Sequence, residues 1–374
     1  MRLTSEVNIM KQKYYSLKPL LKAAPDANYF LLLGERANGK SFQCKEYVLK
    51  RYKETGERFI YLRRYQIEAK ISYVEGYFRD APVSQIFDGW EFITAYRGGI
   101  YLSKNDEKTG KVVRGDLIGY IGHLSGEGHF KSQNYNDVST IIFEEFISRE
   151  GYLFREHELL ESYVSTVARR RAIRVFLVGN TISRLCVYFS EWGLSFIPKM
   201  KQGEIRICEH RTDQINEDGS PVVVKIAVQF CENSGNNSKM FFGTSSSMTT
   251  SGAWQTREYP HLPYKYRECK NVYTVMYQYK EFAFKLELLR TPKNEFIVFV
   301  HPHNDINYDY ASNGIPARTV SEIYNPSPLY TRELRPVLKG DKMILQLWKD
   351  GKFYYSDNLT GSDMESIIND KGGL

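Results

Sequence analysis

The stretch Tyr29-Phe-Leu-Leu-Leu-Gly34-Glu-Arg-Ala-Asn-Gly39-Lys40-Ser41 decides how this chain is read. Five apolar residues run into a loop that fits the pattern G-x-x-x-x-G-K-[ST]. The loop then enters Ser41 to Tyr52, where Cys44, Val48, Leu49 and Tyr52 fall at helical spacing. Each loop position has a physical task. Gly34 and Gly39 let backbone amides converge on phosphate oxygens, and the start of the helix adds the positive end of a dipole. Lys40 can reach the β- and γ-phosphates of a nucleotide, and the Ser41 hydroxyl can ligate Mg²⁺. Arg36, inside the loop, joins Gly34, Gly39, Lys40 and Ser41 as a nucleotide-binding candidate. A chance match to this pattern in a chain this long has odds of roughly 1–2% at typical residue frequencies.

Working outward, strand-like runs recur at Arg58 to Leu62, Val138 to Phe143 and Ile173 to Val178, with a second amphipathic stretch from Leu153 to Val167. Strands alternating with helices predict a parallel sheet covered by helices, an α/β fold. A meander-like insert from Trp90 to Leu124 interrupts the alternation. The run Val138 to Phe143 ends in Glu144-Glu145. A phosphate-loop enzyme needs an acid there to hold Mg²⁺, and the place falls to Glu144. Glu145 can then polarise an attacking water as general base. The competing reading is a strand that simply enters a solvated acidic loop. The distance of about 100 residues from Gly39 to Glu144 leaves room for an additional strand, the arrangement of phosphate-loop ATPases with a catalytic glutamate.

Basic candidates follow. Arg169, Arg170 and Arg171 close the Leu153 helix, where cations either complement the helix dipole or, as an arginine finger, stabilise charge on a neighbouring subunit's nucleotide. Asn180 follows the Ile173 strand and either holds the lytic water or makes a turn. Lys131, in the polar segment Gly126 to Asn136, is a second charge for presentation across an interface, or a solvated loop lysine.

The chain beyond residue 210 reads differently. Turn-rich clusters flank a single strand, Val222 to Phe230, which suggests a linker over 211–267. Residues 268–374 are β-rich. Phe282, Phe284, Leu286 and Leu288 alternate with Lys285 and Glu287, placing Glu281 and Glu287 on an outer face. Thr291 to Asn294 turns the chain into Phe296 to Val300. Met343 to Trp348 and Phe353 to Tyr355 flank Asp350-Gly351, a hairpin signal. A closing helix over Ser362 to Asp370 has Ser362 as N-cap and Glu365 three residues on. His301-Pro-His303-Asn-Asp305 reads as a polar loop in preference to a metal site, and Asp305 and Asp309 lie in the same loop.

Composition bounds the function. The 374 residues suggest more than one domain at roughly 150 residues each. With 42% hydrophobic and 14% aromatic residues the chain can build real cores, so wholesale disorder is excluded. No apolar run approaches the roughly 20 residues of a membrane span, and no secretory leader is visible. Five scattered cysteines without a C-x-x-C pair suit a reducing compartment. A net charge of +7 permits a polyanionic partner without requiring one.

Taken together, Gly34 to Ser41, Arg58 to Tyr65, Asn136 to Phe146, Thr166 to Arg171 and Gly179-Asn180 resemble the DNA-packaging ATPase of small-genome podophages, the salasmavirus type. The likeness covers the first half of the chain. It implies an N-terminal ATPase domain over 1–210 of the additional-strand, catalytic-glutamate type, a small linker subdomain over 211–267 and a C-terminal RNase H-like domain over 268–374. It implies ATP and Mg²⁺ as cofactors, with Glu145 catalytic, Ser41 and Glu144 at the metal, and Arg169 and Lys131 acting in trans. The implied assembly is a homomeric, pentameric ring at the portal of an empty capsid in the host cytoplasm, absent from the mature virion. There it would translocate double-stranded DNA, with a packaging RNA as a further partner in that group. Glu144 stands where relatives usually carry Asp. The extra methylene moves the carboxylate by about 1.5 Å, so direct and water-mediated metal contact both stay open. No strand presents a convincing acidic centre in 268–374, so that domain is expected to be nuclease-inactive. The rival readings are a nuclease-competent large terminase or DNA helicase, and a nucleotide-gated DNA-binding or structural protein.

Overall fold

A computed structural model of the chain describes residues 14–126, 134–148, 151–169, 171–184, 186–215, 218–232, 258–279, 282–302 and 339–369. The chain divides into two compact units, drawn from residues 1–146, 155–181 and 199–253, and from 147–154, 182–198 and 254–374.

The first unit is built on β1 (Tyr29–Gly34), whose Phe30, Leu31, Leu32 and Leu33 are wholly buried. A strand covered on both faces reads as a continuous apolar run, as here. Next come α2 (Lys40–Thr55), β2 (Arg58–Arg63) and α3 (Ile71–Phe78), preceded in the chain by α1 (Lys18–Ala23) and followed by α4 (Val83–Ile86). Helix α2 stops where Gly56 takes the left-handed conformation and its N–H bonds back to the Tyr52 carbonyl. The aromatic insert forms β3 (Phe92–Tyr96), β4 (Gly99–Asn105) and β5 (Val112–His123). Then follow β6 (Val138–Glu144), α5 (Glu156–Ala168), β7 (Arg174–Asn180), β8 (Ile205–Ile215) and β9 (Pro221–Phe230).

These nine described strands form one sheet in the order β3-β4-β5-β2-β6-β7-β1-β9-β8. Strands β5, β2, β6, β7, β1 and β9 run parallel, and the two antiparallel edges come from the insert and from β8. The insert therefore extends the sheet through β5, which pairs with β2. An additional strand lies between β1 and β6, but it is β7, which follows Glu144 in sequence; the roughly 100 residues from Gly39 to Glu144 hold β2 and the insert strands β3 to β5 instead. The register pairs Gly34 with Asn180 and Glu144 with Val178, so β1, β6 and β7 end together along one sheet edge. The 210/211 boundary falls inside β8, and β8 and β9 hydrogen-bond into the large sheet. Strand β8 carries no clear signal because polar residues dominate it and it pairs on one side only.

In the second unit β10 (Lys270–Tyr279), β11 (Phe282–Arg290) and β12 (Phe296–Pro302) form an antiparallel meander, and β13 (Phe353–Tyr355) runs parallel beside β12. A short helix α6 (Val187–Glu191) belongs to this unit, as do α7 (Lys339–Lys349) and α8 (Asn358–Asn369). Its core joins Phe284, Leu286, Leu288, Val298 and Val300 to Ile344, Leu347, Met364 and Ile367 from α7 and α8.

Three sequence expectations for this unit are corrected. Met343 to Trp348 is helix, not the first arm of a hairpin. Its buried Ile344 and Leu347 fall three apart, on one helical face. Asp350-Gly351 ends that helix: Gly351 N–H bonds to Trp348 O, Lys352 N–H bonds to Leu347 O, and Gly351 has φ 67°, a Schellman motif. The last helix starts at Asn358, capped by Asp357, whose carboxylate accepts the Thr360 N–H at 2.8 Å. Ser362 lies buried inside that helix. Finally, Glu287 does not line a solvated face. Its side chain is 3% exposed and accepts hydrogen bonds from Tyr266 and Asn271, with His301 and Lys285 beside it. Partners on the neighbouring strand and the preceding turn cover it, which alternation within one strand cannot reveal. Glu281, His303, Asp305 and Asp309 lie outside the described residues.

Candidate nucleotide site

The phosphate loop connects β1 to α2. Gly34 approaches its neighbours so closely that a Cβ would lie 3.2 Å from that of Cys231 and 3.1 Å from the Asn38 amide nitrogen. Gly39 precedes α2 with φ 101°, a conformation that side chains rarely adopt. Glu35, Asn38 and Lys40 are buried. The Lys40 ammonium donates to the Glu35 carbonyl at 2.5 Å and to Asn38 Oδ1 at 3.1 Å. Burial lowers the Lys40 pKa, while Cys231, Glu144 and Glu35 act the other way. Upstream, Tyr15 N–H bonds to the Asn38 carbonyl, Tyr15 hydroxyl to Gln229 and Leu17 N–H to Gln43, so the segment before α1 is tied to the loop.

Glu144, at the tip of β6, is 6% exposed. Its Oε1 accepts the Tyr77 hydroxyl at 2.7 Å, and Ser41 lines the same cavity. Burial raises its pKa, against the pull of Tyr77, Ser41, Arg63 and Lys40. Tyr77 in turn stays a proton donor, because burial and the Glu144 charge push its phenol well above its ordinary value. Glu145 turns sharply away, with φ 58° and its N–H on the Val178 carbonyl at 2.8 Å. Its carboxylate is exposed and accepts Arg63 Nη2 at 2.7 Å. The turn is held from beneath by Arg64, which donates to the Glu145 and Phe146 carbonyls and pairs with the buried Glu156 at 2.7 Å.

Arg36, Gly39, Lys40, Ser41, Glu144, Glu145 and Asn180 all line one cavity of about 970 Å³, together with Tyr14, Arg63, Tyr77 and Asp80. Asn180 reaches it because the β1–β7 register sets it beside Gly34. Arg169 is not among the lining residues. It is exposed at the C-terminal end of α5, with φ 42° and Nη1 at 3.5 Å from Asn134 Oδ1. Arg171 is committed elsewhere, donating to the Val138, Tyr135 and Val167 carbonyls. Lys131 and Arg170 lie outside the described residues.

The sequence pattern assigns no role to three residues of the site. Arg63 ends β2, Arg64 follows it and Tyr77 sits on α3; their relation to the acids depends on strand order and helix placement. Elsewhere, no group of three or more His, Cys, Asp or Glu side chains among the described residues could hold a metal ion. No described helix is long and apolar enough to cross a membrane.

With strand order, loop and acidic strand end in place, the relatives can be compared. Residues 9–209 match the Podovirus DNA encapsidation protein (Gp16) family. The chain belongs to that family. It is 34% identical over 167 residues to the DNA packaging protein of Bacillus phage B103, a match covering 44% of this chain and 47% of the relative. The DNA packaging protein of Bacillus phage phi29 is 32% identical over 183 residues, 48% of this chain and 50% of the relative. The chain thus spans about half the length of the curated relatives it matches. Among solved structures, the N-terminal domain of the DNA packaging ATPase from bacteriophage phi29 aligns with TM-score 0.43 and 27% identity over 58% of this chain and 95% of that one. The bacteriophage phi29 genome packaging motor assembly aligns with TM-score 0.48 and 21% identity over 92% and 95% of the two chains. The family match covers the phosphate loop, the acidic strand end, Arg169 and Asn180 of this Gp16-family chain.

Proposed function

We propose that this Gp16-family chain is a viral DNA-packaging ATPase that couples ATP hydrolysis at subunit interfaces to translocation of double-stranded DNA into an empty capsid. The observation that carries the reading is the convergence of Lys40, Ser41, Glu144, Glu145 and Asn180 on one cavity. The Ser41 hydroxyl and the Glu144 carboxylate, which line the same cavity, are hard oxygen donors of the kind Mg²⁺ takes. Bound there with ATP, Mg²⁺ would neutralise charge developing between the β- and γ-phosphates. Lys40 leaves the Glu35 carbonyl to hold the phosphates, with loop amides and Arg36 around them. Glu145 takes a proton from the attacking water, and Asn180 orients that water or the γ-phosphate. Arg169 reaches the site of a neighbouring subunit, with Lys131 as a second basic residue in trans.

The partners proposed are a homomeric, pentameric ring, a capsid portal and, in this group, a packaging RNA; membership of the DNA encapsidation family supports the packaging role. The ring works at the portal vertex in the host cytoplasm and leaves before the virion matures. Basic side chains hold the DNA backbone without reading sequence. The segment from residue 268 serves as an RNase H-like, nuclease-inactive module facing DNA or portal, and a linker is confined to residues 231–267 because β8 and β9 belong to the large sheet. A metal-dependent plasmid-nicking activity of the full chain would contradict that last assignment.

The decisive experiment is specific ATPase activity against protein concentration, with and without DNA. A finger acting in trans predicts a steep rise as rings assemble, and Lys40→Ala abolishes the activity. A flat specific activity removes the interface mechanism, and nucleotide binding without turnover removes the motor.

A further inference from the structure

We infer that Tyr77 is a positioning residue for the metal site, fixing Glu144 so that the longer acid does the work of a shorter one. The inference rests on the nucleotide-site reading above and adds a residue to it. Glutamate has one more rotatable bond than aspartate, and freezing a side-chain rotor costs free energy. Tyr77 removes that freedom by donating to Glu144 Oε1 at 2.7 Å. One oxygen is thereby pinned toward α3, in the cavity that Ser41 also lines.

The phenol is itself held rigidly. Its ring lies 4.5 Å from that of Tyr61 on β2 and 4.8 Å from that of Phe78. The Lys45 ammonium stands 4.5 Å from the centre of the ring and donates to the Tyr77 carbonyl at 2.8 Å. Lys45 belongs to α2, one turn beyond Ser41, and also pairs with Asp80. A continuous chain of contacts results, from the phosphate-loop helix through Lys45 and Tyr77 to Glu144. Nothing in it is required for the core alone, since a phenylalanine would keep the ring contacts.

The test uses the full chain and Tyr77→Phe. Mn²⁺ replaces Mg²⁺ as probe, its binding followed by electron paramagnetic resonance with ADP present; binding of a fluorescent ATP analogue in EDTA is the control. Loss of one hydrogen bond to a charged acceptor should weaken Mn²⁺ binding roughly tenfold, with binding in EDTA changed less than about twofold. In a Glu144→Asp background the shorter carboxylate falls about 1.5 Å short of the phenol, so adding Tyr77→Phe should have no further effect. Unchanged Mn²⁺ affinity, an equal loss in EDTA, or an undiminished effect in the Glu144→Asp background would each overturn the assignment. A wild-type chain that binds no nucleotide at all would instead overturn the site reading beneath it.

Discussion

Arg63 and Glu145 meet across the sheet edge, with Nη2 of the arginine 2.7 Å from Oε2 of the glutamate. Arg63 ends β2 and Glu145 follows β6, so pairing of these adjacent strands brings the charges together. The side chain proposed as general base is thus exposed yet oriented. Arg63→Ala should lower kcat roughly tenfold, the worth of one charge-assisted hydrogen bond, with little change in nucleotide affinity. Glu145→Gln should cost at least about a hundredfold. The double variant should be no slower than Glu145→Gln alone, because Arg63 acts through Glu145. Steady-state kinetics of the four proteins checks this; additive losses would place Arg63 in an independent role.

The buried pair Arg64–Glu156 lies beneath that turn and should act on stability. Glu156→Ala removes one partner of an ion pair whose side chains are 5% and 0% exposed. Such a break costs roughly 3–5 kcal/mol. In a unit of this size that lowers Tm by about ten degrees. Calorimetry reads the change, and a shift under about two degrees would contradict it.

Arg169 and Arg171 should separate cleanly. Arg171 supports three backbone carbonyls, so Arg171→Ala should lower Tm through lost packing of α5. Arg169→Ala should leave Tm within about a degree but lose ATPase activity in its homomer. Mixed with Glu145→Gln subunits, it should recover part of that activity, because some interfaces then hold an intact base and an intact finger. No recovery would mean that Arg169 acts in cis or not at all.

Asp357 carries a pH dependence. Burial opposes its ionisation, but the Thr360 N–H and the Ser356 and Thr360 hydroxyls outweigh it and hold the carboxyl below its ordinary range. A lowered folded-state pKa gives stability above the unfolded value of about 3.9 that is lost as pH falls through the folded one. Asp357→Ala should therefore cost about 1 kcal/mol at neutral pH, and the gap should close in acid. Urea denaturation at pH 7 and pH 3 measures it; a gap constant with pH would exclude the cap.

Gly351 ends α7 with φ 67°, so Gly351→Ala should destabilise by about 1 kcal/mol, whereas Lys352→Ala should be neutral within about 0.5 kcal/mol. Equal effects would show that the left-handed turn is not what Gly351 supplies.

Local chemistry by itself determined the phosphate loop, the β1 and β6 runs and the acids at the end of β6. A covered parallel strand is continuously apolar, and a loop that cradles phosphate needs glycine, lysine and a hydroxyl at set spacing. Those demands fall on neighbours in the chain. Tertiary structure alone decided that β7 lies between β1 and β6, that Arg63 reaches Glu145, and that Tyr77 reaches Glu144 across 67 residues. It also decided that Met343 to Trp348 coils into α7, because Ile344 and Leu347 find the face of β11 and β12. An apolar run of six residues suits strand and helix alike, and the surface it can bury against, set by residues far away in the sequence, selects between them.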